Sequence, residues 1–427
     1  MATVPRPRIV RTETLAELDL PAQVTLSLVD LARSAKAHLL ALSVGLGLAT
    51  LREIFEHELT ERVGPKGRHD PGRSASRHGA ETRSVTLGGR LVRVPRPRAR
   101  TRDGQEVQLR SYAAVADRDL LSAAALQRML AGLSTRRYGA GLEPVGDVAG
   151  WGTSRSAVSR RFVRGTAATL AALFSRDLSQ LPLLAVFIDG IAVGGELVVC
   201  ALGVDRRGTK HLLGLWQGTT ENGAVCAAAL RNLIERGLPT DRALLFVSDG
   251  GKAIHTAIRD AYGHLALHQR CRLHKRRNVL GHLPKGLRPE IGRKLDHAWA
   301  KADPAAAAAA LRQLAQALEA GHDGAARSIR EGLEETLTIA RLDLPPSLLR
   351  SFKSTNLIDS AHSVARRVMR NVKRWRKDHK MVLRWTAAGM LEAEKQFRRI
   401  NGYRDLWLLE RALDRHTTEV TSSTTAA

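Results

Sequence analysis

The chain has 427 residues, 44% of them hydrophobic, which is enough for two to four domains with sizeable cores. Its 67 Lys and Arg residues outnumber its 42 Asp and Glu residues, and the formal charge of +25 indicates a polyanionic partner. The longest uncharged apolar stretch, residues 37–51, is too short to cross a bilayer, so the charge favours nucleic acid over a membrane.

The first third of the chain changes from a helical pattern to an alternating one. Residues 1–60 predict a helical module, because apolar residues recur at helical spacing from residue 22 and a glycine ends the pattern. This segment lacks the apolar core of a signal peptide, and three cysteines cannot form a disulfide framework, so we expect a cytoplasmic protein. Residues 61–110 alternate around Gly-Gly and Asp-Gly turns and predict a basic β-ribbon or a linker.

Residues 111–180 return to helical patterns and predict a DNA-binding domain. Within them, "VGDVAGWGTSRSAVSRRFVRG" has the form of a helix-turn-helix, with Gly152 in the turn and the second helix over residues 154–163. A surface helix with solvated arginines is the alternative. The side chains that we expect to meet DNA are Arg155, Ser159 and Arg160.

Residues 181–275 contain apolar runs, two of which finish on Asp-Gly, at Asp189 and Asp249. Either dipeptide alone is typical of an ordinary turn. The runs predict three antiparallel strands, a helix, a strand, a helix and a last strand, with the acids on the first and fourth strands. This order is the plan of a ribonuclease H-like α/β core with a mixed five-stranded sheet, and it places both carboxylates at one edge.

The remaining chain reads as helical. Residues 276–350 predict an all-helical insertion that splits the core, residues 351–414 the last part of the core, and residues 415–427 a disordered tail. Seven of the twelve residues 366–377 are Arg or Lys. Helical spacing from Asp359 places several of them on one face, along which a DNA backbone would lie: Arg366, Arg370, Lys373 and Arg374.

Two alternatives stay open in this half of the chain. Trp375 and Trp385 read either as core or as a stacking surface for an unpaired base. Zinc ligation is one interpretation of the spacing of His264, His268, Cys271 and His274, although no second Cys pair exists. We favour a core position for Cys271 and a place for His274 near the second aspartate or a DNA phosphate.

Several stretches resemble the Mutator-type bacterial insertion-sequence transposases. They include "FIDG", "LGVDRRGTKHLLGLWQGTTEN", "FVSDGGKAI", "QRCRLHKRRNVLGHLP" and "STNLIDS", and the resemblance covers most of residues 110–410. It implies DNA as the partner, both the terminal inverted repeats and the target, a homodimer or higher oligomer on that DNA, and a place at the bacterial nucleoid.

The resemblance also implies a DDE-type active site with two Mg²⁺ or Mn²⁺ ions. Asp189 and Asp249 match the first and second acids of the family, and both are expected to be catalytic metal ligands. At the third place the family has Glu, separated from Thr-Asn by two residues, whereas this chain has Asp359. Aspartate also binds Mg²⁺, but it is one methylene shorter. A helix cap or a surface acid is the alternative reading of Asp359.

The function that these motifs predict is metal-dependent cleavage at the ends of an insertion sequence, followed by strand transfer through 3′-OH attack on target DNA. A non-catalytic, sequence-specific DNA-binding protein would share the charge and the helix-turn-helix but leaves the two Asp-Gly strand ends unexplained. A ribonuclease H-like nuclease or resolvase would share the acids without needing the N-terminal DNA-binding modules.

Overall fold

A computed structural model describes residues 39–68, 72–116, 118–142, 150–218, 223–375 and 380–425. These residues belong to two compact units. One unit comprises the chain up to Ala125 together with Thr135–Arg161, and the other comprises Leu126–Ser134 and the chain from Phe162 onward. The first 38 residues of the predicted N-terminal module lie outside the described ranges.

The first unit is built on helix α1 (Leu39–Val63) and a long hairpin of strands β1 (Ala75–Leu87) and β2 (Arg90–Thr101). The strands are antiparallel and are joined by the Gly-Gly turn, in which both glycines have positive φ. Apolar side chains of α1, among them Phe55 and Leu59, pack against Val92 and Val94 of β2. Helices α2 (Arg110–Val115) and α3 (Arg118–Leu130) follow.

The predicted helix-turn-helix is wrong at its start. Residues 143–149 lie outside the described ranges, and the two residues before the turn form strand β3 (Gly150–Trp151), which pairs with Leu91 and Val92 of β2. Their backbone groups are therefore used by a sheet and not by a helix. Gly152, with φ of 79°, then leads into helix α4 (Arg155–Phe174), which is longer than predicted.

The second unit contains a mixed five-stranded sheet, as the sequence predicted. Strands β4 (Leu183–Val193), β5 (Glu196–Asp205) and β6 (Lys210–Gly218) are antiparallel, and β7 (Leu244–Ser248) and β8 (Ala266–Arg270) run parallel to β4. The order across the sheet is β6-β5-β4-β7-β8. Helix α5 (Gly223–Glu235) follows β6, and helix α6 (Lys252–Tyr262) follows β7.

Both faces of β4 are covered, so the strand is apolar along nearly its whole length. Val186 and Ile188 share one core with side chains of α5 and α6. Side chains alternate along a strand, so Phe187 and Asp189 face the opposite side. There Phe187 stacks on Phe352, with 5.9 Å between ring centroids. Asp189 is therefore placed on the face that the later helices cover.

The chain between β8 and residue 353 is helical. It contains α7 (Arg272–Gly281), α8 (Arg288–Trp299), α9 (Pro304–Arg330, kinked at His322), a 3₁₀ segment (Glu334–Leu342) and α10 (Pro346–Phe352). Helices α7, α8 and α9 share a core of their own, with Leu295, Leu311 and Ile329 among its members. The helical character of this segment matches the prediction.

Residues from other segments form hydrogen bonds with both outer strands of the sheet. Beside β8, the Thr338 hydroxyl of the 3₁₀ segment donates to the His268 carbonyl at 2.7 Å, and the Ile339 N–H donates to the Gln269 side chain at 3.0 Å. Beside β6, the backbone N–H of Leu212 donates to Glu394 at 2.7 Å, and its carbonyl accepts from Arg176 at 2.9 Å.

Three helices complete the second unit: α11 (Asn356–Met369), α12 (Met381–Glu394) and α13 (Leu406–Thr425). The prediction of a disordered tail over 415–427 is wrong for residues 415–425, which continue α13. Hydroxyl groups in this segment donate to the carbonyl four residues earlier, as Thr417 does to Leu413. Thr417 also accepts the backbone N–H of Ala243, which ties the helix to the start of β7.

Candidate active site

Asp189 and Asp249 lie side by side on neighbouring parallel strands: Asp249 directly follows β7, whereas Asp189 lies within β4, which continues to Val193. The register pairs Ile188 of β4 with Ser248 of β7, so the next residue of each strand is an aspartate. Gly250 leaves the strand with φ of 85°, and the Gly251 N–H donates to the Asp249 carboxylate at 3.0 Å. At Asp249 the Asp-Gly dipeptide thus turns the chain out of the sheet and leaves the carboxylate at its edge. The expectation that the first run also finishes on Asp-Gly is wrong, because Gly190 pairs with Val199 of β5 and β4 continues to Val193.

Asp359 joins these two acids from helix α11, which packs against β4. Asp359 lies in the first turn of α11, where the helix dipole favours a negative charge. A carboxylate oxygen of Asp359, one of Asp189 and a ring nitrogen of His362 all lie within 4.8 Å of one another. The structure therefore brings Asp359 close to Asp189, and the strand register places Asp249 next to Asp189.

The charge that accumulates here changes the protonation of Asp189. Burial, and then the charges of Asp359 and Asp249, raise the pKa of Asp189 to about 8, and a hydrogen bond with Asp359 adds to the rise. Only 8% of Asp189 is exposed. Ionising all three carboxylates together needs a compensating cation, so the donor set fits hard divalent ions such as Mg²⁺.

The raised pKa of Asp189 predicts that the stability of the protein depends on pH. The pKa of Asp189 is raised in the folded protein, so its contribution to stability is complete below about pH 4 and is lost as the pH rises through 8. In EDTA, we expect Asp189→Asn to melt at a higher temperature than the parent at pH 8.5, by about 2–5 °C, with little difference at pH 5.

Mg²⁺ should raise the melting temperature of the parent more at pH 8.5 than at pH 6, and it should do little for Asp189→Asn. Differential scanning calorimetry measures both effects. The matched control is Asp260→Asn, an exposed acid on α6. A pH-independent difference between Asp189→Asn and the parent would contradict the assignment.

Cys271 and His274 lie next to the acids, beside Thr355 at the start of α11. The buried Cys271 sulfur accepts the backbone N–H groups of His274 and Thr355, at 3.5 and 3.4 Å. The Thr355 hydroxyl lies 3.3 Å from His274 Nδ1 and 3.1 Å from Asp359 Oδ2. This network ties the N-terminus of α7 to that of α11 and holds the Asp359 carboxylate in place.

The network also determines the charge of His274. Its hydrogen bond with Cys271, and then the charges of Cys271, Asp189 and Asp249, raise the pKa of His274 to about 9 against the opposing effect of burial. Protonated Nδ1 therefore donates to Thr355, whose hydroxyl donates to Asp359. Burial raises the pKa of Cys271, but hydrogen bonds from His274 and Thr355 outweigh it and hold that pKa below its usual range.

The zinc interpretation of the Cys and His spacing does not fit the structure. His268 Nε2 lies 2.8 Å from the Ser248 hydroxyl, and the backbone carbonyl of His264 contacts His416. Among the described residues, the one group of three metal-ligating side chains that converge is Asp189, Asp359 and His362.

Five glutamates between residues 331 and 394 could also have supplied a third acid, and each of them is paired elsewhere. The observed pairs are Glu331 with Arg270, Glu334 with Arg312, Glu335 with His255, Glu392 with Lys395 and Glu394 with Arg176. None of the five belongs to the converging group, so the geometry favours Asp359.

His362 was missed in the sequence. It lies on α11 three residues after Asp359, is fully buried, and places Nδ1 3.6 Å from Asp189 Oδ2. Burial, followed by the charge of Arg366, lowers the pKa of His362 to about 4, so the ring is neutral and its nitrogen lone pair is free. The available signal was its spacing from Asp359 among small apolar neighbours.

The residues predicted to contact DNA lie on two different elements. In the first unit, Arg155 and Arg160 of α4 are exposed and Ser159 is half-buried. In the second unit, Arg366, Arg370, Lys373 and Arg374 are all exposed.

The predicted continuous basic helix after Asp359 is wrong beyond residue 370. Helix α11 ends at Met369, so Lys373 and Arg374 lie in irregular chain and do not extend its face. Tertiary contacts begin directly after the helix, where the Asn371 side chain donates to the carbonyl of Gly132 at 2.6 Å. Trp375 then lies on Gly194, between β4 and β5. Trp385 is core and stacks on Phe162 at 4.2 Å.

No helix among the described residues is long and apolar enough to cross a membrane.

Residues 27–399 match the family described as "Transposase, Mutator family". The chain is 32% identical over 176 residues to the transposase for insertion sequence element IST2 of Acidithiobacillus ferrooxidans, a match that covers 40% of this chain and 58% of that protein. It is 27% identical to the transposase for insertion sequence element ISRM5 of Rhizobium meliloti, over 74% of this chain and 79% of that protein.

Proposed function

The chain belongs to the Mutator family of transposases, and we propose that it cleaves DNA at the ends of an insertion sequence and joins the freed 3′-OH to target DNA with two divalent metal ions. The observation that carries this proposal is that Asp359 of α11 lies close to the buried Asp189 of β4, which the strand register places beside Asp249. A DNA-binding protein without catalysis has no use for a buried acid whose pKa is raised to about 8.

The proposed metal ligands are Asp189, Asp249 and Asp359. When bound, two Mg²⁺ or Mn²⁺ ions activate the attacking oxygen and stabilise the leaving oxygen of an in-line displacement at phosphorus. Asp189 is buried and lies beside both other acids, so it would be one of the groups that hold the ions. Gly251 and Thr355 each donate to one outer acid and fix its orientation. His274 contributes a positive charge that offsets part of the carboxylate charge.

We propose that the five-stranded sheet with its helices is a ribonuclease H-like core, split by a helical insertion over residues 276–350. Two features support this: the strand order β6-β5-β4-β7-β8, and three acids from the first strand, the fourth strand and a late helix. A direct assay tests the proposed function. Purified protein, incubated with Mg²⁺ and a DNA duplex that carries the element's own terminal repeat, should yield a cleaved 3′ end and a joined product. Cleavage without joining would favour a nuclease.

The exposed basic residues after Asp359 are proposed to bind the DNA backbone. Counterion release lowers log affinity by about 0.9 per contacted phosphate for each unit of log salt. We therefore expect a steep salt dependence that becomes shallower by about 3–4 when all four residues are changed to Gln: Arg366, Arg370, Lys373 and Arg374. Fluorescence anisotropy with end DNA between 50 and 300 mM KCl gives both slopes.

A charge-matched control removes four exposed basic groups that each pair with an acid: Lys294, Arg327, Arg206 and Lys395. This control variant loses the same formal charge but should keep a slope close to that of the parent. Equal slopes for both quadruple variants would mean that the net charge of the protein, and not the four basic residues after Asp359, produces the salt dependence.

A further inference from the structure

His362 is a buried polar side chain that makes no hydrogen bond with the described residues. Its side chain is fully buried, and neither ring nitrogen has a hydrogen-bond partner among the described residues. Buried ring nitrogens are ordinarily satisfied, because desolvating one without a partner is costly. A leucine at this position would avoid that desolvation cost. The imidazole therefore indicates that a ligand binds its nitrogen in the functional state.

The surroundings of His362 indicate which ligand. Nδ1 lies 3.6 Å from Asp189 Oδ2, and the ligand atoms of His362, Asp189 and Asp359 lie within 4.8 Å of one another. Two donor atoms on one octahedral ion with bonds of about 2.1 Å lie about 3 Å apart when adjacent and about 4 Å when opposite. The spacing of the three groups therefore fits a single ion after small side-chain movements.

We propose that His362 is a nitrogen ligand to one of the metal ions held by Asp189 and Asp359. The inference rests on the metal centre of the proposed function and adds a donor to it. It also accounts for the shortened third acid: Asp359 lacks one methylene of the glutamate that the resemblance leads one to expect, and the next turn of the same helix supplies an additional donor.

A nitrogen donor changes which ions the centre prefers. Carboxylates alone suit Mg²⁺ and Mn²⁺, whereas imidazole favours transition metals over Mg²⁺. The parent should therefore bind Mn²⁺ more tightly than Mg²⁺. Removal of His362 should raise the Kd for Mn²⁺ by about 10–100-fold and change the Kd for Mg²⁺ about tenfold less.

The test uses the full chain with Mn²⁺ and no DNA. Pulsed electron paramagnetic resonance detects ¹⁴N coupled to the bound Mn²⁺, and calorimetric titration gives the Kd. We expect the ¹⁴N signal in the parent and in the control His255→Gln, whose half-exposed ring pairs with Glu335. It should disappear in His362→Gln and His362→Leu. The leucine variant should melt in EDTA at or above the temperature of the parent, which excludes unfolding as the cause.

Other outcomes separate the inference from the proposed function. If the ¹⁴N signal and the Mn²⁺ affinity persist in His362→Leu but vanish in His274→Gln, the nitrogen donor is His274 and the inference is overturned. If His362→Leu binds Mn²⁺ like the parent, with no ¹⁴N signal in either, while Asp189→Ala and Asp249→Ala lose binding, the metal centre stands and His362 is no ligand. If neither alanine variant changes Mn²⁺ binding, both proposals fail.

Discussion

Replacing Asp189 or Asp249 by alanine is expected to abolish strand cleavage and strand transfer while DNA ends remain bound. Each carboxylate is proposed to hold metal ions that stabilise the transition state by several kcal/mol, so the rate should fall at least about 10³-fold. Neither side chain belongs to the basic residues proposed to contact DNA. A gel shift with end DNA, run beside a cleavage assay in Mg²⁺, separates binding from catalysis.

The stability of these variants makes the result easy to interpret. Asp189→Ala removes a carboxyl group whose pKa is raised to about 8 by burial and by the charges of Asp359 and Asp249, so the variant should not unfold for lack of that charge. The control Asp260→Ala, an exposed acid on α6, should cleave like the parent. Cleavage at the parental rate by either active-site variant would remove the two-metal proposal.

Changing Asp359 is expected to give opposite results for two substitutions. Asp359→Ala should lose cleavage as fully as Asp189→Ala, because it removes the one acid that α11 brings to Asp189. Asp359→Glu should keep or raise the rate, since it restores the longer side chain that the family pattern has at this place. The starting geometry is fixed by the Thr355 hydroxyl, which donates to Asp359 at 3.1 Å.

Cleavage rates at saturating Mg²⁺ for the two variants, together with Ser360→Ala as an exposed neighbour on the same turn, provide the measurement. A rate for Asp359→Ala equal to that of the parent would leave Asp359 as a bystander. A loss of activity in both Asp359 variants would mean that the centre needs the shorter side chain, with His362 beside it.

The part of the site built on strands was predictable from the sequence because buried strands have a strong local signal. The apolar runs before Asp189 and Asp249 identify two covered strands, and the glycine after Asp249 marks the end of β7, whereas β4 continues past Gly190 because β5 pairs with it. The position of Asp359 came only from its spacing after Thr355 in the family pattern, since nothing local distinguishes it from a surface acid.

The remaining features depend on contacts between distant parts of the chain. Directly after α11 ends at Met369, Asn371 bonds Gly132, a contact between distant parts of the chain that helix propensity cannot reveal. The strand before Gly152 exists because β2 offers it a partner. The spacing of His362 from Asp359 was a weak signal, because a single histidine among small residues reads as a satisfied core position, and only its geometry beside Asp189 shows otherwise.

The bonds along the two outer strands have a consequence for assembly. An exposed strand edge is a template to which another chain can add a strand, and such edges cause domain swapping and aggregation. Here the 3₁₀ segment covers β8 through Thr338 and Ile339, and the Arg176–Glu394 pair binds both backbone groups of Leu212 on β6. The backbone carbonyl of His268 and both backbone groups of Leu212 are therefore already bonded within the chain, so a strand of a second copy cannot use them to extend the sheet.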